Sequence, residues 1–195
     1  MKRPGAVGVT GTPGTGKKSV SPILSSLLGR PLVEINAVAR ARFAPNEEGE
    51  LEVDVKALGA DLAKIASGAV VSGHLLSDVL GPAGIEFVAV LRCEPMVLKR
   101  RLASRGYAPE KITENCEAEL IGVVLDAALR RFGPAKVHEY DSTRAKPAVL
   151  ARKIARDYRS GSAQSSPWID WTVGYDSSTK LTSLLSRSRT EPAST

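Results

Sequence analysis

The sequence predicts an α/β fold in which helices cover a parallel β-sheet. Three observations carry this. Short apolar runs of strand length alternate with longer stretches whose apolar residues recur at helical spacing, the pattern of strand–helix–strand crossovers. The first such run leads directly into a glycine-rich turn and then a helix, Gly11-Thr12-Pro13-Gly14-Thr15-Gly16-Lys17-Lys18-Ser19 being the turn. No internal repeat is present, and 195 residues with 43% hydrophobic and 25% charged content suit one sizeable core.

Taken in order, residues 6–10 (AVGVT) read as a buried strand. Residues 20–28 read as a helix with Val20, Ile23, Leu24, Leu27 and Leu28 on one face. Residues 31–35 form a second strand, and Asn36 is placed to cap a short helix ending at residue 42. Pro45, Asn46 and Gly49 make residues 43–51 a polar loop. Asp54 caps an amphipathic helix over 53–66, which Gly68 stops. Residues 69–73 are apolar on both faces, as a central parallel strand requires. The strongest strand is 85–92 (IEFVAVLR), followed by a helix from Pro95 to about residue 104. Residues 105–109 (RGYAP) break that helix, and one long helix follows from 109 or 113 to 132. A fifth strand at 137–140 and a helix from Pro147 through residue 158 complete the domain, which spans residues 1–160.

Residues 161–195 are different in kind. They form a Ser/Thr-rich basic tail, expected to be partly disordered, with Trp168 and Trp171 as a docking motif that pins it to the domain. Residues 142–195 carry nine Lys or Arg against four Asp or Glu, so most of the net charge of +6 lies there. A basic surface of this kind suits a nucleic-acid or ribosome-facing role and equally suits solubility. No apolar run reaches the length of a membrane span, so no membrane partner is expected. The start lacks a secretory apolar region, and two isolated cysteines, Cys93 and Cys116, fit a reducing compartment, so the expected location is cytoplasmic.

Chemistry concentrates around the glycine turn. Gly11, Gly16 and Lys17 stand at the spacing of a phosphate-binding P-loop between a strand and a helix. There the backbone curls round an anion, loop N–H groups point at it, and lysine adds a full positive charge. Gly14, Gly16, Lys17, Lys18 and Ser19 are therefore the candidate nucleotide-binding residues. Ligands of parallel sheets gather at the carboxyl ends of the strands. Those ends carry Asn36 and Arg40 after the second strand, Ser72, Gly73 and His74 after the third, and Arg92 after the fourth. Arg105 opens the break between two helices, where a lid could close. Phosphoryl transfer needs positioning and charge neutralisation more than covalent chemistry, and these are the residue types for it.

Together, GTPGTGK at 11–17, VVSGHLL at 70–76, VLRC at 90–93, RGY at 105–107 and the Lys111-Ile112, Glu114-Asn115 and Glu117-Ala118-Glu119 pairs resemble the ribosome-associated atypical adenylate kinases. This is the adenylate kinase isoenzyme 6 family, with its archaeal broad-specificity nucleoside monophosphate (NMP) kinases. The similarity runs from residue 7 to about 143, and Ile169-Asp170-Trp171 resembles a near-terminal archaeal motif. The resemblance implies a P-loop NMP-kinase-like three-layer fold with a five-stranded parallel sheet and a small lid at about residues 104–114. It implies ATP as donor, AMP or another NMP held by the segment at about 34–57, Asn36 and Arg40 on the acceptor, and Arg105 on ATP. Lys17, His74, Arg92 and Arg105 become the catalytic candidates. It also implies ATPase activity and small ribosomal subunit maturation through the ribosomal protein uS11; a nucleotide-gated assembly factor is the alternative function.

Two positions depart from the pattern. A P-loop enzyme holds Mg²⁺ through a Ser or Thr hydroxyl directly after the lysine and through an acidic residue at a strand end. Here Lys18 occupies the first position, Ser19 following one residue late, and Ser72 occupies the second. Three readings follow: Lys18 replaces part of the metal's charge, Ser19 and Ser72 hold Mg²⁺ weakly, or the site binds nucleotide and turns it over poorly.

Overall fold

Parallel pairing needs strands buried on both faces, and the apolar runs supply them. In the computed structural model, which describes residues 4–44, 52–161, 168–175 and 178–186, the strands are β1 (Ala6–Thr10), β2 (Leu32–Glu34), β3 (Val70–Ser72), β4 (Ile85–Arg92) and β5 (Val137–Asp141). They form one parallel sheet in the order β2-β3-β1-β4-β5. The chain reverses its direction of travel across the sheet beside β1, so the loop after β1 lies at the switch point where such folds bind ligands.

The two-residue period of the strands sorts the core into two layers. Val7, Val9, Phe87, Ala89 and Leu91 pack against α1 (Lys17–Leu28) and α8 (Pro147–Ser160), through Val20, Leu24, Leu150 and Ile154. Val71, Val88, Val90 and Val137 face the other way. They meet α2 (Ile35–Arg42), α3 (Val55–Ile65), α4 (Leu76–Val79) and α7 (Val123–Phe132) through Ile35, Leu58, Leu62, Leu76 and Leu125. A third cluster joins α5 (Pro95–Ala103) and α6 (Pro109–Leu120) to the tail, with Leu98, Leu102, Ile112, Cys116, Tyr175 and Leu184 buried together.

Several expectations are corrected. The long helix at 109–132 is two helices, because Gly122 at φ +72° adopts a left-handed conformation that turns the chain between α6 and α7. Asn36 does not cap α2; Glu34 holds that position, with no side-chain capping bond, and Asn36 lies within the helix, exposed. Asp54 does cap α3, accepting from the amides of Lys56 and Ala57 at 2.9 and 3.0 Å. Most of the loop expected at 43–51 lies outside the described residues. In the tail, α9 (Ser178–Leu185) forms, and Lys99 Nζ donates to the carbonyls of Ser183, Leu184 and Ser186 at its carboxyl end. A cation on those otherwise unpaired carbonyls is a favourable helix ending. No helix among the described residues is long and apolar enough to cross a membrane.

Candidate functional site

The P-loop is shaped by its neighbours as much as by its own glycines. Gly11 has φ +143°, and a Cβ there would sit 2.4 Å from the Leu91 carbonyl oxygen. Gly14 has φ +94°, and its Cβ would meet Leu98 Cδ1 at 2.6 Å. The loop is thus pressed between the end of β4 and α5, in conformations that a side chain would oppose. Thr15 Oγ1 donates to the Thr12 carbonyl at 2.8 Å and closes the turn. Lys17 Nζ donates to the carbonyls of Gly11 at 2.5 Å and Thr12 at 3.1 Å. Burial pushes its ammonium down to about 7; the Glu119 carboxylate opposes that shift and Arg105 adds to it.

A cavity of about 360 Å³ opens over this loop. It gathers most of the residues singled out in the sequence: Gly14, Gly16, Lys17, Lys18, Ser19, Asn36, His74 and Arg105, with Tyr107 added. His74 is held below the ordinary imidazole value, first by burial and then by the charge of Lys17, with Asp78 acting the other way. Burial and Lys17 both favour its neutral imidazole form. Arg40 is exposed on α2, one helical turn beyond Asn36.

A second cavity of about 200 Å³ shares Gly14, Gly16, Ser19 and Arg105 with the first and extends to Arg101, Ser142, Ala145 and Pro147. Arg101 Nη2 donates to the carbonyls of Ser142 and Thr143, both at 2.9 Å. The Ser142 hydroxyl lies 2.7 Å from the carbonyl oxygens of both Thr15 and Arg92 and shares its one proton between them. The turn after β5 is thereby tied to the P-loop. The strand-end rule applied to the fifth strand points at Ser142, Ala145 and Pro147, whereas Arg101, on α5, is brought beside them only by the fold.

Arg92 lies elsewhere. It is 2% exposed and lines neither of these cavities. Its Nε donates to Glu119 Oε1 at 2.7 Å, its Nη2 to the Glu119 carbonyl at 2.9 Å, and its Nη1 to Glu139 Oε1. The expectation that it meets the transferring phosphoryl is corrected: two buried carboxylates take the charge that a phosphate would have met. Glu119, present in the sequence only as part of a motif, is the residue on which these contacts converge. Its Oε1 also accepts from the Cys93 amide at 2.9 Å and Trp171 Nε1 at 3.3 Å, and its Oε2 from Thr12 Oγ1 at 2.6 Å.

Ser72 does not line the cavity either. It is 6% exposed and accepts a hydrogen bond from Ser21 Oγ at 2.8 Å. Among the described residues the cavity lining holds no carboxylate, and no cluster of three or more His, Cys, Asp and Glu could hold a metal ion. The donor set fits a polyphosphate, through Lys17, Lys18, Arg105 and the loop amides. It does not fit a magnesium ion held by the protein, for which Ser19 offers the only loop side-chain oxygen in the lining of this cavity.

Comparison with known proteins agrees with this geometry. A family model described as AAA domain matches residues 7–122. A Thermococcus onnurineus protein named "Putative adenylate kinase" is 36% identical over 173 residues, covering 87% of this chain and 93% of its own. The chain belongs to this family. A Methanocaldococcus jannaschii protein of the same name is 29% identical over 176 residues, covering 87% of this chain and 94% of its own. The matches thus span most of this chain and nearly all of each of these relatives. Shikimate kinase from Acinetobacter baumannii in complex with shikimate has the same fold, with a TM-score of 0.59 at 15% identity over 80% of this chain and 94% of that one. A Sinorhizobium meliloti gluconokinase matches at a TM-score of 0.52 and 21% identity, over 83% of this chain and 93% of its own. The fold is that of the P-loop kinases.

Proposed function

We propose that the chain is a nucleoside monophosphate kinase that transfers the terminal phosphoryl group of ATP to an NMP, AMP foremost. One observation carries the reading: Gly14, Gly16, Ser19 and Arg105 line both cavities, so the phosphate cradle is the junction between two compartments. Two nucleotides that must exchange a phosphoryl group need this arrangement. The donor lies toward Arg101 and the turn after β5, its phosphates over the loop amides and Lys17. The acceptor lies toward Asn36 and Tyr107, with Arg40 one turn away for its phosphate. Arg105, shared by both compartments, neutralises charge on the group in transit, and residues 104–114 act as the lid that excludes water. In-line attack by an acceptor phosphate oxygen then needs no protein nucleophile. The name carried by the archaeal relatives supports the same reading.

His74 favours a second reading. A neutral imidazole in the same cavity as Lys17 can accept a proton from water. Hydrolysis of ATP would then drive small-subunit assembly, with uS11 as partner and NMP transfer incidental. Incubation with ATP and a panel of NMPs, followed by chromatography of the nucleotides, separates the two. NMP-dependent formation of a nucleoside diphosphate, lost in Lys17→Ala and reduced in Arg105→Ala, is the expected result. Hydrolysis that ignores the NMP overturns the kinase reading.

A further inference from the structure

The charge at the cavity mouth bears on which form of nucleotide enters. Where a P-loop places a hydroxyl after its lysine, this chain places a second ammonium, Lys18, exposed in the first turn of α1 and lining the cavity. The position that would supply a carboxylate is Ser72, buried and hydrogen-bonded to Ser21. All of the charged side chains lining the cavity, Lys17, Lys18 and Arg105, carry basic groups, and the polar remainder offers little to a hard cation. A magnesium ion arriving on the nucleotide would cancel about two of its negative charges, weakening its attraction to those basic groups, and would itself lie close to Lys18. A metal-free triphosphate meets the same groups with its full charge, and a lysine ammonium is a compact point charge with three donors suited to phosphate oxygens.

Resting on the nucleotide-kinase reading, we propose that this site takes ATP without its divalent cation, Lys18 supplying within the P-loop turn the positive charge that magnesium would bring. Lys18 is then the residue that sets the preference between the two forms of the nucleotide. Ser19, one position on, is left to bond a phosphate oxygen.

Isothermal titration of the full-length protein with ATP tests this, in excess EDTA and in excess MgCl₂ at matched ionic strength. The native chain is expected to bind at least as tightly in EDTA as in magnesium. Lys18→Thr, which restores the hydroxyl, should weaken binding in EDTA about tenfold, the worth of one charge-assisted contact, and reverse the order of the two buffers. Lys18→Arg should keep the native order. Tighter binding of the native chain in magnesium, or a native order retained by Lys18→Thr, overturns the inference and leaves the kinase reading standing. No binding of ATP in either buffer overturns both.

Discussion

Lys17 is folded against the carbonyls of its own loop, and its environment makes its charge conditional. With its value lowered to about 7 from an ordinary 10.5, the free site holds a largely neutral amine at pH 8.5. A bound triphosphate favours the ammonium, so binding should draw a proton from solution. The uptake is expected to approach about one proton at pH ~8.5 and to vanish near pH 6, where Lys17 is already charged. Titrations in two buffers of different ionisation enthalpy measure it, and equal heats in both at pH ~8.5 would contradict it. The stability linkage has the same origin. Between about 7 and 10.5 the unfolded chain binds more protons at this group than the folded one, so Lys17 opposes folding most below pH 7 and progressively less as pH rises across that window. Loop spacing pointed to Lys17, strand ends to Asn36 and His74, and a helix break to Arg105, and all four line one cavity. The fate of Arg92 was not visible there, because its partners Glu119 and Glu139 lie 27 and 47 residues away and only the folded chain brings them in.

At the scale of elements, apolar periodicity located β4 and α8 well, since a run such as IEFVAVLR permits little else. It misread 109–132 as one helix because the stripe of apolar residues continues across Gly122 and only the backbone sign at that residue breaks it. A Cβ on Gly122 would be in ordinary contact with the Arg92 guanidinium, 3.7 Å away, so substitution there isolates the backbone cost. Gly122→Ala should lose about 1–2 kcal/mol in urea unfolding, with nucleotide affinity nearly unchanged. Gly14→Ala should do something else. Its Cβ would press on the buried side chains of Leu98 and Leu102 at 2.6 and 3.0 Å, so these leucines must repack or the loop must shift. Nucleotide binding should fall sharply while the unfolding midpoint shifts less than for a core truncation. Binding that survives intact would mean the loop tolerates a shape its contacts argue against.

Across the whole molecule, the buried carboxylate of Glu119 joins three parts of the chain that sequence separates. One oxygen accepts from Thr12 in the P-loop; the other serves Arg92 and Cys93 at the end of β4 and Trp171 in the tail. The tail is held at a second point too, where the Ile169 amide donates to Glu139 Oε2 at 2.6 Å. Arg92 is the positive centre of this assembly, so Arg92→Met leaves two buried carboxylates facing one another and should cost about 3–5 kcal/mol. The finer consequence concerns the site. Thr12 neighbours Gly11, and both carbonyls accept from Lys17, so a change at Glu119 reaches the phosphate cradle through its bond to Thr12. Thr12→Val removes the hydroxyl that Glu119 holds. Glu119→Gln removes the charge and turns one oxygen into a donor. If the Thr12–Glu119 contact positions the loop, each change should weaken ATP binding, and the double variant should be hardly worse than either single one, a coupling of about 0.5–3 kcal/mol. Additive losses in titration of the four proteins would reduce Glu119 to a support for the fold, with the tail anchored to the domain and not to its chemistry.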